Sequence, residues 1–292
     1  MLRILLIGKG SFIGANFIKY SKYKQLFEVD VRDTKPENIN LTGFDVIIHL
    51  AAVVHQSKKI PLSDYLRVNA ELPVSMAKIA KNSGVPHFVF ISSSKVYGKF
   101  KEGQEAWNEA APCNPTDGYG YSKLRAEEEL LKLNDERFCV SVLRTPMVYG
   151  EGVKANMLDL IRMVDKFPVI PLGNIRNKRS ITYVENIVGY IDKIIELRQG
   201  GILIAKDKES PSIDELVRLI SQSLGKRRFL VNPGKGLIYL LKFFVPHYHE
   251  RLIGTSVLDN YRTTRLLDFE PEFSTKEGID RTVNYYLNSK SI

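Results

Sequence analysis

Ser93, Tyr119 and Lys123 are the residues of this sequence best placed to do chemistry together. Ser93 stands in F-V-F-I-S-S-S-K-V-Y-G, where an apolar run ends. Tyr119 and Lys123 stand in G-Y-G-Y-S-K, which opens an expected helix over 118–133. Residues four apart on a helix share a face, so the phenol of Tyr119 gains an ammonium neighbour. An ammonium favours phenolate and is expected to draw the phenol down from about 10, its ordinary value. Tyr119 would then give and take a proton at an oxygen on carbon, with the Ser93 hydroxyl hydrogen-bonding the same oxygen. Tyr121 is set aside, because its partner four residues on is Arg125.

These groups need elements that bring them to one place. A strand over 2–7 (L-R-I-L-L-I) runs into G-K-G-S-F-I-G and an amphipathic helix over 12–22. Glycines at 8, 10 and 14 let a backbone approach a pyrophosphate at a helix N-terminus. A second strand over 27–31 is followed by Arg32 and Asp33, and a third over 45–50 runs into Ala51 and Ala52, small enough to leave a ribose or nicotinamide arm against the backbone. A helix over 63–82 carries Asn69, a strand over 88–91 leads to Ser93, and a strand over 140–143 leads to R-T-P-M-V-Y-G. Alternating strands and helices imply an α/β fold with a doubly wound parallel sheet and ligands outside the carboxyl ends of its strands.

On these motifs the chain resembles the extended short-chain dehydrogenase/reductase family, in its nucleotide-sugar epimerase, dehydratase and reductase branch, over essentially its whole length. The resemblance implies a Rossmann domain over 1–150 and a smaller C-terminal α/β substrate lobe over 151–292, with some chain returning to the first. It implies a catalytic trio of Ser93, Tyr119 and Lys123; Ser93 is preferred to its neighbours because the family's hydroxyl lies four residues before the tyrosine of V-Y-G, here Tyr97. A dinucleotide would meet Gly8, Gly10, Ser11, Phe12, Ile13 and Gly14, then Asp30, Arg32, Leu50, Ala51, Ala52, Asn69 and Pro146, besides Tyr119 and Lys123. The family fingerprint T-G-x-x-G-x-x-G stands here as I-G-K-G-S-F-I-G, so Ser11 replaces the middle glycine. Asn156 and Arg179, with Arg262 as a second arginine, would meet a nucleotide-sugar diphosphate, and Ser94 and Lys95 the sugar.

Dehydratases of the family carry an Asp-Glu pair after the catalytic hydroxyl, whereas Ser94 and Lys95 follow it here, so dehydration is not expected. The resemblance favours reduction of the 4-keto group of a UDP-linked deoxy or N-acetyl sugar, in surface-polysaccharide synthesis. A UDP-hexose 4-epimerase with tightly bound NAD uses the same trio and stays open, and a non-catalytic dinucleotide sensor is the third reading. Asp30 and Asp33 suit NAD, while Arg32 suits the extra phosphate of NADP, leaving both cofactors open.

Composition limits the alternatives. The 292 residues, 44% apolar, are enough for a sizeable core. Two unclustered cysteines, Cys113 and Cys139, suit a reduced cytoplasmic protein without a disulfide framework or metal site. The net charge of +9 is scattered over clusters such as Lys58-Lys59, Lys99 with Lys101, 176–179 and 226–228. Scattered clusters suit small polyanions better than nucleic acid. The apolar run 236–246 is short of the roughly 20 residues that span a bilayer, which leaves packing in the substrate lobe or contact with a membrane-bound partner. The family resemblance implies a homodimer.

Overall fold

The computed structural model describes residues 1–32, 34–54, 60–100, 104–232, 234 and 254–290. Asp33, Lys58, Lys59, Lys101 and the run 236–246 lie outside the described residues.

β1 (Arg3–Ile7) is buried from Ile4 onward, as an apolar strand covered on both faces should be. α1 (Phe12–Tyr20) follows, then β2 (Gln25–Val29) and β3 (Val46–His49). β2 starts and ends two residues earlier than its composition suggests, because its register is set from outside. Arg3 pairs Gln25 and Ile7 pairs Val29, and the Val29 carbonyl then takes the N–H groups of Gly8 and Lys9 at 3.0 and 3.1 Å.

α2 (Leu62–Leu66), a π-turn over Arg67–Glu71 and α3 (Leu72–Asn82) form one nearly continuous helix. The wide turn has a local cause. Pro73 has no N–H for the carbonyl of Asn69 four residues back, and the Leu72 N–H reaches five back to Arg67. β4 (His87–Ser93), a 3-10 turn over Ser94–Tyr97, α4 (Gly118–Leu131) and β5 (Cys139–Thr145) complete the half of the fold that carries the trio.

With β9 (Gly201–Ile204) these strands make a six-stranded sheet in the order β2-β1-β3-β4-β5-β9, every pair parallel. One face, with Val46, Ile48, Val89 and Leu143, packs on Phe17 of α1 and on α6 (Val184–Leu197). The other, with Ile47, Phe88, Phe90 and Val142, packs on α3 and α4. This is the Rossmann arrangement. Because β2 and β3 lie on opposite sides of β1, the connections diverge there and leave a crevice at the carboxyl ends of β1 and β3.

The remaining elements form a second core. β6 (Met147–Tyr149) pairs β8 (Ile181–Tyr183), and β7 (Val169–Ile170) pairs β10 (Phe229–Leu230). α5 (Ala155–Lys166) and α7 (Ile213–Ser223) bury Leu160, Ile161, Leu216 and Val217 against Ile279 of α9 (Thr275–Lys290). α8 (Tyr261–Leu267) returns to the main sheet, where Thr263 Oγ1 accepts from the Ile204 N–H at 2.8 Å. Among the described residues no helix is long and apolar enough to cross a membrane.

Asp207 joins the two cores. Its carboxylate accepts from the Tyr149 hydroxyl at 2.8 Å, the Tyr183 N–H at 2.9 Å and Asn186 Nδ2 at 2.7 Å. Asn186 also grips the backbone of Phe273, giving to its carbonyl at 2.9 Å and taking from its N–H at 3.0 Å. Burial is the foremost influence on Asp207 and pushes its carboxyl up to about 6. Each buried polar group left without a partner costs about 1–3 kcal/mol. Asn186→Ala should therefore lower the stability by about 2–4 kcal/mol, read as a lower urea midpoint with an unchanged slope; an unchanged midpoint would remove the joint from the account.

Candidate active site

The glycine turn needs glycine at its first position. Gly8 has φ +115°, and a Cβ there would lie 2.7 Å from the Ala51 backbone nitrogen. The Ile7 carbonyl accepts from the N–H groups of both Leu50 and Ala51 at 2.9 Å, which draws the end of β3 against the turn. Ser11, by contrast, has extended backbone (φ −67°, ψ 149°) and caps α1, its Oγ accepting from the Gly14 N–H at 3.2 Å. A residue with this backbone has no need to be glycine, so the departure at Ser11 yields a capped helix with an intact turn. Phe12 and Ile13 pack their side chains toward the two cores, leaving only their first-turn backbone N–H groups to face an anion.

A cleft of about 810 Å³ opens between this turn, Leu50–Val53 and the residues 30–32 and 34–36. Lys9, Arg32, Lys35 and Arg67 line it against Asp30 and Glu71, which gives part of the positive charge a place to act. Arg32 Nε lies 3.0 Å from Asp30 Oδ1, and this guanidinium holds the Asp30 carboxyl down at about 2. The two residues that the sequence weighs against each other for cofactor choice are thus paired. Glu28, which sequence reasoning missed, accepts from the Gly10 N–H at 3.2 Å; its place two residues before Asp30 on the same strand face was the available signal.

Asn69 does not line the cleft. It is fully buried, accepts from the Val53 N–H at 2.8 Å, and gives to the Val53 carbonyl at 2.9 Å and to Ser122 Oγ at 3.1 Å. Its amide is spent on clamping the loop after β3 to α4, so it shapes the cleft from behind. Pro146 lies half-buried between β5 and β6.

Ser93 ends β4 and Tyr119 is the second residue of α4. Ser93 Oγ accepts from the Lys95 N–H at 3.2 Å. The start of α4 packs closely on the 3-10 turn because Gly120 lacks a side chain: a Cβ there would meet the Lys95 carbonyl oxygen at 2.5 Å. Asp117 caps α4, accepting from the Gly120 N–H at 2.8 Å, and pairs with Lys95 Nζ at 3.3 Å. Lys95 is thereby turned to the cap of the tyrosine helix, with Ser94 half-buried at the start of the 3-10 turn.

The electrostatics correct the sequence reading. Tyr119 is pushed up to about 12, burial being the main cause; the Ser93 hydroxyl opposes it, and Asp117 and Tyr65 add to it. Lys123, only 2% exposed, is pushed down to about 7 by burial, which the Glu127 carboxylate opposes. Its Nζ donates to the Ile91 carbonyl at 2.8 Å and lies 4.4 Å from the Phe90 ring centroid. The lysine is anchored to β4, and loss of hydration outweighs its pull on the phenol.

The residues expected to bind substrate stand on separate elements. Asn156 is half-buried on the first turn of α5 beside Ala155, whose φ is +54°. Arg179 is half-buried beside Ser256, gives Nη1 to the Gly254 carbonyl at 2.7 Å, and is lowered to about 10 by burial. Arg262 is exposed at the start of α8.

The turn, the cleft and the Gly8 contact fit a dinucleotide, whose pyrophosphate would face the turn and α1. Gly8→Ala should weaken dinucleotide binding at least tenfold, about 1.4 kcal/mol, in a calorimetric titration; wild-type affinity in that variant would show that the turn is not the cradle.

Comparison with known proteins agrees with this geometry. The profile of the NAD dependent epimerase/dehydratase family matches residues 4–203. The chain is 31% identical to UDP-glucose 4-epimerase of Vibrio cholerae, over 99% of this chain and 96% of that protein. It is 29% identical to N-acetyl-alpha-D-glucosaminyl-diphospho-ditrans,octacis-undecaprenol 4-epimerase of Escherichia coli O157:H7, over 77% and 73%. Its fold is that of UDP-glucuronic acid 4-epimerase from Bacillus cereus, solved with UDP-glucuronic acid and NAD (TM-score 0.77, 18% identity, covering 99% of this chain and 100% of that one). It is also that of RMD from Pseudomonas aeruginosa, solved with NADPH (TM-score 0.79, 18% identity, 99% of each chain). Sequence match and fold together place the chain in the NAD dependent epimerase/dehydratase family, whose cofactor is NAD or NADP.

Proposed function

We propose that the chain is a UDP-sugar 4-epimerase that keeps a bound NAD through its cycle. The observation that carries this reading is the 31% identity to a UDP-glucose 4-epimerase along nearly the whole of both chains. The site is consistent with it: Ser93 at the end of β4 is near enough to Tyr119 to lower the proton affinity of its phenol, and the residues after Ser93 are Ser94 and Lys95 in place of a carboxylate pair.

In this proposal the dinucleotide lies along Gly8, Ser11 and Leu50–Ala52. When bound, the nicotinamide would supply reversible two-electron chemistry at the sugar's C4. The ionised form of Tyr119, a minor fraction while burial raises its phenol, takes at Oη the proton of the 4-hydroxyl and later returns it to the same oxygen, while Ser93 Oγ hydrogen-bonds that oxygen throughout. Lys123 holds the cofactor ribose and adds positive charge beneath the phenol. Asn156, Arg179 and Arg262 take the diphosphate, and Ser94 and Lys95 border the sugar.

Reduction of a 4-keto sugar is the second reading, and one observation favours it. Burial keeps Tyr119 protonated, the state a keto reduction needs from the start, since an alkoxide has a higher proton affinity than any phenolate.

Purified protein given UDP-glucose or UDP-N-acetylglucosamine, with no cofactor added, should produce the C4 epimer. Absence of the epimer, with stoichiometric consumption of NADH or NADPH by a 4-keto sugar, would establish the reductase instead. Tyr119→Phe should lower kcat by about 10²–10⁴-fold with nucleotide binding retained; full turnover in that variant would remove the phenol from the mechanism.

A further inference from the structure

Beneath the trio lies a charged group that the proposed chemistry leaves unused. Glu127 sits on α4 one helical turn beyond Lys123, on the same buried face. Its side chain is 1% exposed and that of its partner Arg144 is 3% exposed. Arg144 grips the carboxylate with two nitrogens, Nε at 3.1 Å and Nη2 at 2.6 Å from Oε2, and the Ser92 hydroxyl donates to Oε1. The Arg144 guanidinium lies 4.8 Å from the Tyr97 ring centroid, and Tyr97 stacks on Trp107.

Each partner of Glu127 neighbours a residue of the site. Ser92 precedes Ser93 at the end of β4, and Arg144 lies two residues before Pro146 at the end of β5. Glu127 itself belongs to the helix that carries Tyr119 and Lys123. One carboxylate therefore ties together the three elements whose ends form the site. An ion pair this deep is a costly source of stability, because two desolvated charges gain little beyond an apolar replacement. Its position is explained better by what it does to the neighbouring cation.

We propose that Glu127 is a positioning residue for this site, its carboxylate supplying the negative charge that keeps the buried Lys123 a cation while Arg144 and Ser92 hold that carboxylate in place. The inference rests on the reading of Tyr119 and Lys123 as acid–base machinery, although its physical content can be measured without turnover. Among the described residues Glu127 is the group that adds negative charge at Lys123, and Arg144 of β5, paired with it, offsets part of that charge. From β3 the neighbour is His49, 0% exposed and lowered to about 3 by burial first and Lys123 second, hence neutral. From β4 come the Phe90 ring and the Ile91 carbonyl. From α4 itself come Glu127 and the protonated Tyr119.

The sign follows directly. A nearby carboxylate raises a lysine's proton affinity, so removing its charge lowers that affinity, and the cation is lost at lower pH. The test is Glu127→Gln in the full chain, which keeps the shape and one acceptor oxygen but not the charge. Lys123 is followed by NMR of ¹³C-labelled lysine and assigned with Lys123→Arg, and the pH dependence of kcat/KM is recorded beside it.

The Lys123 titration should move down by about one pH unit or more. The alkaline limb of kcat/KM should move with it in the same direction, with KM for the nucleotide sugar changed less than kcat. A folded variant in which Lys123 titrates as in the wild type would overturn the proposal, even if activity fell at every pH, since that is the behaviour of a purely structural ion pair. If Glu127→Gln unfolds because Arg144 is left buried and unpaired, Glu127→Gln/Arg144→Gln is compared with Arg144→Gln, so that the two proteins differ only in the Glu127 charge, and Lys123 must titrate lower in the double variant; equal titrations in the two overturn the proposal. Wild-type protein inactive on every nucleotide sugar would defeat the epimerase and reductase readings, while the NMR titration would still decide the role of Glu127.

Discussion

Loss of hydration at the carboxyl end of β4 is the constraint on which the site depends. Lys123, Glu127 and Arg144 meet there in a space that the sheet, α4 and the 3-10 turn close from water, with the half-buried Tyr119 at its edge. Burial pushes the phenol up and the ammonium down, so each group is biased toward its neutral form and the charges that remain must be held by named partners. Arg144 and Glu127 hold each other. Lys123 has a carbonyl, a ring face and the carboxylate one turn away. Such an arrangement fixes the geometry of the three elements more than it adds stability.

The dinucleotide half of the molecule is governed by close backbone approach. Gly8 lets the end of β3 lie against the turn, and Ser11 caps the helix that follows. The Asp30–Arg32 pair gives the cleft an acceptor and a donor at the position where a ribose hydroxyl and a ribose phosphate are distinguished. That pairing explains in physical terms why cofactor choice is ambiguous in the sequence: each residue moderates the signal of the other.

What could be read in advance was local. Tyr119 and Lys123 are four apart, Ser93 ends an apolar run, and the glycine turn follows the first strand directly, so a short window was enough to place each of them. The pattern failed where partners are distant in sequence. Arg144 lies 17 residues from Glu127, and no periodicity links a strand arginine to a helix glutamate. The direction of the Tyr119 shift depends on burial, which spacing does not report. The resemblance implies a dinucleotide contact for Asn69, whereas Asn69 lies in the π-turn beside Pro73 and its amide is bonded to Val53. The edge strand β2, half exposed along its length, carried too weak an alternation to reveal its register with β1.

The central claim is that desolvation, rather than the charge of Lys123, sets the proton affinity of the Tyr119 phenol. Titration of ¹³Cζ-labelled tyrosine in the ligand-free protein, with the Tyr119 resonance assigned through Tyr119→Phe, measures it directly. The account predicts a phenol that stays protonated well beyond the ordinary range and titrates at about 12. A midpoint at or below about 10, the value of an unperturbed tyrosine, would contradict it and return control of the site to the lysine.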